Sequence, residues 1–219
     1  MPRKKKIYLT DYFDNWIEVY KKGAVSNATL DKYISAKKNL KIIASAVTLN
    51  ELDRLTYQEI LNRYAESHEK ATVMDFHHQL KSAILDAYEE GLVTKDPTRR
   101  AVIKGKQPTP KKRKYLNEFE LKLFIRELEL DEDPTIDWLL LLIAKTGLRF
   151  GEALGLTKKD FDFEKQQITI SKTWDYKNCC GGFKPTKNIS SVRKVQMDWK
   201  LSMQFNKLLH PLGDDELVF

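Results

Sequence analysis

"KTGLRFGEALGL", Lys145 to Leu156, follows an apolar run, "WLLLLIA", Trp138 to Ala144. The run is apolar on every side, as a buried helix is. Gly147 supplies the stop that glycine favours at a helix C-terminus. Arg149 then stands at the break, where a second, short helix begins. Arg149 and Glu152 are three residues apart, so both lie on one face of that helix. Leu148, Ala153, Leu154 and Leu156 around them are core-like. Two readings are open. A guanidinium held near a helix start can grip a phosphate at two oxygens, with Glu152 fixing the orientation of the fork. Alternatively, the two residues are an ordinary i, i+3 ion pair that supports a helix.

Downstream the period changes from helical to alternating. "QQITISKTWDY" and "SVRKVQM" read as strands, and "KNCCGGFKPTKN" between them supplies a turn rich in glycine and lysine. Lys184, Lys187 and Arg193 lie in or beside that turn, either as a cationic finger for a DNA groove or phosphate, or as a solvated charged turn. A last helix, "WKLSMQFNKLLH", leads to "PLGDDELVF". Upstream, "YLNEFELKLFIRELEL" reads as a helix capped at Asn117 with Glu120 at its third position.

The first hundred residues read as a four-helix bundle. "LTDYFDNWIEVYKKG" has Thr10 as its cap and Tyr12, Phe13, Trp16, Ile17 and Tyr20 at helical spacing. "SNATLDKYISAKKNLKIIA" places Leu30, Tyr33, Ile34 and Leu40 on one face. "NELDRLTYQEILNRYAESH" carries Thr56 with Glu59 three residues on, a capping-box pattern. "KATVMDFHHQLKSAILDAYEEGLV" closes at Gly91. Residues 101–114, "AVIKGKQPTPKKRK", hold six Lys and Arg, two Pro and one Gly with almost no apolar period. The expected organisation is a bundle over 1–104, a basic linker over 105–114 and a second domain over 115–219.

Charge is divided in the same way. The 219 residues carry a net +7. Residues 1–114 hold 23 Lys and Arg against 14 Asp and Glu, whereas 115–219 hold 15 against 17. A basic half points to a polyanion partner, most simply nucleic acid. Cys179 and Cys180 are adjacent and make neither a disulfide framework nor a zinc set, which suits a reducing cytoplasm. "MPRKKKIYL" lacks the apolar segment of a signal peptide, and no apolar run approaches membrane-spanning length. His77-His78 has no third ligand in view. Trp16 and Trp138 fall on apolar faces and read as core, while Trp174 is open to either role. No P-loop, G-x-G-x-x-G or metal-nuclease carboxylate set is present, so no cofactor is expected.

"TGLRFGEALGLTKKDFDFEKQQITISKT" resembles the first active-site box of the tyrosine recombinases, the phage integrase family: a T-G-x-R-x-x-E junction, a D-φ-D turn and a strand. "PTKNISSVRKVQM" is similar to the following hairpin, and "YLNEFELKLFIREL" to the start of the catalytic domain. "ATLDKYISAKKNL" with "AILDAYEEGLVTKDPT" is similar to the helical core-binding domain of mobile-element integrases. The resemblance implies a mainly α chain with a small antiparallel sheet: a helical, SAM-like core-binding bundle plus a partial α+β catalytic domain. It implies that Arg149 clamps the scissile phosphate and Glu152 supports it. Lys187 is the best match to the general acid that protonates the departing 5′-oxygen, with Lys172 and Lys184 close enough to exchange places with it. Lys111, Lys112, Arg113, Lys114, Lys184 and Arg193 are the expected DNA contacts.

That family's chemistry uses neither metal nor ATP. The implied partners are duplex DNA and further protomers, a tetramer on DNA in the full-length protein, with no membrane involved. The implied place is the bacterial cytoplasm, at the nucleoid. The chain departs from the pattern after "GDDELVF": the H-x-x-R box, the later His or Trp and the nucleophilic tyrosine do not occur. Tyr176, the only tyrosine beyond Arg149, falls in a strand by this reading, and His210 is followed by "PLGD". The chain is therefore expected to be a fragment or truncated integrase that cannot form a phosphotyrosyl bond. The competing readings are a non-catalytic DNA-binding protein derived from an integrase, and a helical interaction protein with no nucleic-acid role.

Overall fold

The computed structural model describes residues 6–108, 113–176, 181–186 and 189–219. The chain divides into two compact units, Met1–Arg113 and Lys114–Phe219, each with its own hydrophobic core.

The first unit is built from α1 (Leu9–Tyr20), α2 (Asn27–Ala44), α3 (Arg54–Ala65) and α4 (Lys70–Glu89). Phe13, Leu40, Tyr57, Phe76 and Leu80 are fully buried at its centre. Three local readings change. Thr10 does not cap α1; it is buried inside the helix, and the N–H of Leu9 is taken by the Val47 carbonyl at 2.9 Å. A backbone contact thus replaces the side-chain cap. In α3 the cap is Asp53, whose carboxylate accepts the Thr56 N–H at 2.8 Å. Asp53 starts the helix three residues earlier than Thr56 would, and an ionised acceptor favours that register. In α2 the buried face is Ala36, Leu40 and Ala44, and Ile34 is exposed.

His77 belongs to this core. Its Nδ1 lies 2.9 Å from the Tyr57 hydroxyl, and burial pushes its pKa down. No group of three or more His, Cys, Asp or Glu suited to a metal occurs among the described residues. Trp16 is core as read, with its indole N–H donated to Asp86 at 2.6 Å. Beyond α4 the chain returns to the bundle. The Gln58 amide holds Val102 by both backbone groups, each at 2.8 Å, and Lys106 donates its N–H to the His68 carbonyl at 2.8 Å. Gly105 passes so close that a Cβ there would stand 2.3 Å from the Lys70 nitrogen. The stretch read as linker from residue 105 therefore begins packed against the first unit.

The second unit opens with α5 (Glu118–Arg126), whose Asn117–Glu120 capping box closes with both bonds at 2.8 Å. α6 (Ile136–Thr146) ends at Gly147, left-handed at φ +67°. Next come α7 (Phe150–Leu154), β1 (Phe161–Asp162), β2 (Gln167–Ile170), β3 (Lys172–Trp174), β4 (Phe183–Pro185), β5 (Arg193–Gln196) and α8 (Trp199–Leu208). The stretch read as one strand, 166–176, divides at Ser171. β2 lies between β1 and β5 in an antiparallel sheet, while β3 pairs with β4 in a second. Ile168 and Ile170 point into a core with Leu142, Trp138 and Phe205, the last two meeting edge-on at 5.4 Å. The last residues return to the segment that follows α7: the Val218 N–H bonds the Leu156 carbonyl at 3.0 Å. The fold is mainly α with a small antiparallel sheet. Among the described residues no helix is long and apolar enough to cross a membrane.

The shifted cap is testable. Asp53→Ala should destabilise the first unit by about 1 kcal/mol, and Thr56→Ala should change it by a few tenths at most. Urea denaturation of the two variants measures the difference; a larger loss from Thr56→Ala would restore Thr56 as the cap.

Candidate functional site

α7 is held against β3 by two glycines on one face. A Cβ on Gly151 would meet the Thr173 Oγ1 at 2.7 Å, and one on Gly155 would meet the Trp174 backbone nitrogen at 2.9 Å. Spaced four apart, they let helix backbone lie directly on strand backbone. The junction after Gly147 then places Arg149 at the start of α7, on the side that opens to solvent.

Glu152 is the fixed point of the site. Its side chain is 5% exposed. Its Oε1 accepts the Arg149 Nη1 at 2.7 Å and its Oε2 accepts the Arg149 backbone N–H at 3.0 Å. From β5, Arg193 donates Nη2 to Oε2 at 2.9 Å and Nη1 to Oε1 at 3.2 Å. Burial alone would push the Glu152 pKa up. The hydrogen bond from Arg193 and those from Arg149 outweigh it and hold the carboxyl at about 2. Reciprocally, the hydrogen bond to Glu152 raises the pKa of Arg193.

The two arginines differ in what they leave open. The Arg149 side chain is 71% exposed, while that of Arg193 is 33% exposed and also bonds the Ser191 carbonyl at 3.2 Å. Arg193 was read from the sequence as a DNA-contacting cation. Its guanidinium is engaged by Glu152, because the register of β2 with β5, Ile170 opposite Arg193, carries it in beside α7. Arg149 borders two clefts. One, of about 440 Å³, is shared with Gly147, Ser190, Ser191 and Arg193. The other, of about 250 Å³, is shared with Gly151, Thr173, Tyr176 and Thr186. Tyr176 lies in the turn after β3 rather than in the strand, with its ring edge-on to Phe150 at 5.2 Å.

The lysines separate. Lys172 is held by Asp160 and by the Thr157 hydroxyl at 2.9 Å, and is largely buried. Lys184 is ion-paired with Asp175. Both are thus engaged within the protein, unlike a lysine free to meet a ligand. Lys114 is exposed, and Arg113 is exposed at the end of the first unit. Lys111, Lys112 and Lys187 lie outside the described residues. Arg149, Glu152 and the S-x-R strand are legible in the sequence, whereas the Arg193–Glu152 pair and the two packing glycines are not. The G-x-x-x-G spacing of Gly151 and Gly155 was the available signal for the glycines.

No family model matches the chain. The integrase of Staphylococcus phage L54a is 25% identical, over 90% of this chain and 61% of that protein. The Tn1549 transposon integrase, solved in complex with a circular intermediate DNA, shares the fold with a TM-score of 0.76 at 18% identity, over 94% of this chain and 66% of that one. The lambda integrase dimer bound to a COC' core site gives 0.66 at 16%, over 98% and 57%. The resemblance to the tyrosine-recombinase, phage-integrase family is borne out by these relatives. The chain spans about three fifths of the length of the phage L54a relative and two thirds of the Tn1549 chain.

Glu152 makes the second unit sensitive to acid. Its folded pKa is depressed, so its contribution is full above the unfolded value and is lost as pH falls through the folded one. A carboxyl at about 2 when folded and about 4.3 when unfolded contributes about 3 kcal/mol at neutral pH. Glu152→Gln should therefore be less stable than the parent by about 3 kcal/mol at pH 7, with the gap closing between about pH 5 and pH 2. Urea denaturation across that range measures it; a gap independent of pH would show that Glu152 is not ionised by its arginines.

Proposed function

We propose that this chain carries the DNA-binding bundle and the phosphate-holding part of a site-specific recombinase that integrates a phage or other mobile element. The observation that carries the reading is Arg149: an exposed guanidinium whose base is anchored on a buried, ionised carboxylate. Its free edge faces open clefts, so it can present two parallel N–H donors to phosphate oxygens without rearranging. Glu152 orients that fork, and Arg193 holds Glu152 ionised and in place from the other side. The first unit, with the basic segment that follows it, supplies sequence-independent affinity for duplex DNA through its excess of cations. Lys187 takes the general-acid role by resemblance, since Lys172 and Lys184 are both paired elsewhere. Duplex DNA is the partner, and further copies assemble on it as protomers of a tetramer, in the bacterial cytoplasm at the nucleoid. The core-binding role falls to residues 1–104 and the catalytic role to 115–219, joined by 105–114.

Among the 219 residues only Tyr176 follows Arg149 as a tyrosine. It packs edge-on against Phe150 and lines the smaller Arg149 cleft; the resemblance gives the nucleophile's role to a tyrosine box that does not occur among these residues, so strand cleavage by them alone is not expected. Two experiments test the reading. Mobility shifts on a duplex at rising salt should give log affinity falling linearly with log salt, with a slope of several units. A suicide substrate should give no covalent adduct with this chain; a covalent band lost in Tyr176→Phe would instead make Tyr176 the nucleophile. Salt-independent binding, or none at low salt, would contradict the DNA-binding role.

In a protein extended to carry the family's tyrosine box, Arg149→Lys should keep the fold and most of the DNA affinity, because many other cations hold the duplex. It should slow cleavage about 100- to 1,000-fold, the effect of removing one well-placed transition-state donor. Full activity in the folded Arg149→Lys protein would reduce the Arg149–Glu152 contact to a structural pair.

A further inference from the structure

The larger cleft beside Arg149, about 440 Å³, draws its walls from two parts of the chain. Gly147 and Arg149 come from the break after α6. Ser190, Ser191 and Arg193 come from the helical turn Ile189–Ser191 and the first residue of β5. No carboxylate lines it. Arg193 is already engaged by Glu152, so its guanidinium is not the group that lacks a partner. The two hydroxyls remain. Ser190 is exposed and Ser191 half-buried, and among the described residues neither side chain has a hydrogen-bond partner. Serines in turns commonly bond the backbone beside them. These two instead line the cleft that the exposed guanidinium of Arg149 borders.

The turn that carries them is held in place. The Ser191 carbonyl accepts the Arg193 Nη1 at 3.2 Å, and the same guanidinium donates to the Glu152 Oε2 at 2.9 Å. β5 then runs on in register with β2, Ile170 opposite Arg193. Glu152 also holds Arg149, at 2.7 Å. One buried carboxylate therefore sets the guanidinium directly and, through Arg193, the backbone of the hydroxyl-bearing turn. The donors differ in kind. Arginine offers two parallel N–H bonds in one plane, and each serine offers one O–H that rotates to suit. A cation would be repelled by Arg149, and a phosphate oxygen that has accepted from arginine still has a lone pair to share.

We infer that Ser190 and Ser191 are phosphate ligands, donating their hydroxyl protons to the non-bridging oxygens of the phosphodiester that Arg149 holds. The assignment rests on the phosphate-holding role proposed for Arg149 and adds two neutral donors to it. Negative charge grows on those oxygens during phosphoryl transfer, so donors already in place stabilise the transition state more than the ground state. The serines add direction without adding charge. They touch the substrate, whereas Arg193 acts through Glu152 and the turn, as a positioning residue.

The test uses the full 219-residue chain, ¹⁵N-labelled, with two probes: dimethyl phosphate, the simplest phosphodiester, and inorganic phosphate. Each is titrated against sodium chloride of equal ionic strength and followed by NMR. Both should move the Arg149 Nε–H signal together with the backbone amides of Ser190 and Ser191. Ser190→Ala and Ser191→Ala should each weaken binding about three- to tenfold, the range for one hydrogen bond to a charged group. Threonine at either position keeps the hydroxyl and should restore it, which a purely structural role of the serine would not require. Neither alanine variant should shift the melting temperature, because no bond inside the protein is lost. If dimethyl phosphate moves Arg149 equally in the parent and in the double alanine variant, the serines are not ligands, although the proposed function stands. If neither probe moves Arg149, the phosphate-holding reading itself fails. Binding of inorganic phosphate alone would make the cleft a site for free phosphate and overturn the inference. Shifts that persist in Arg149→Gln, of equal size at exposed cations of the first unit, would mark an adventitious ion only and overturn it as well.

Discussion

Glu152 is a carboxylate almost closed to solvent and gripped by two guanidinia, one 3 and the other 41 residues from it along the chain. Taking a charge out of water is costly unless its partners are close and its lone pairs are filled. Here both oxygens are filled, by Arg149 side chain and backbone on one side and by Arg193 on the other. The arrangement ties the helix break after α6 to the far strand of the sheet. It also leaves one guanidinium exposed with its orientation set, which is what a rigid anion clamp requires. Remove the carboxylate and two cations face each other; remove Arg193 and a buried charge loses half its support.

The packing around that carboxylate explains why the sequence is shaped as it is. Gly147 turns the chain left-handed so that α7 can start at an angle to α6. Gly151 and Gly155 let α7 rest on β3 at a distance no side chain would allow. Buried Ile168 and Ile170 hold β2 in register with β5, and that register delivers Arg193. Each contact is ordinary by itself. Together they make the position of Arg149 a property of the whole second core rather than of one short helix.

What was legible in the sequence followed from local rules. Helix periods, the glycine stop at 147, the Asn117 capping box and the Arg149–Glu152 spacing depend on residues a few positions apart, and they appear as read. The misses depend on distance along the chain. Thr10 and Thr56 look like caps locally, but the Val47 carbonyl and the stronger acceptor Asp53 fill those places. Arg193 looks like a free cation in a turn until β2 and β5 pair. Lys172 looks like a candidate acid until Asp160 closes on it. No periodicity shows which carboxylate will meet which cation.

The position of Arg149 depends on Glu152 being ionised by its two arginines while buried. Side-chain carboxyl ¹³C shifts followed by NMR against pH, with Glu152→Gln to assign the resonance, measure this directly. A midpoint near 2 is the predicted result. A midpoint at the ordinary glutamate value, about 4.3, would contradict it, and Arg149 would then lack the fixed anchor from which its role is argued.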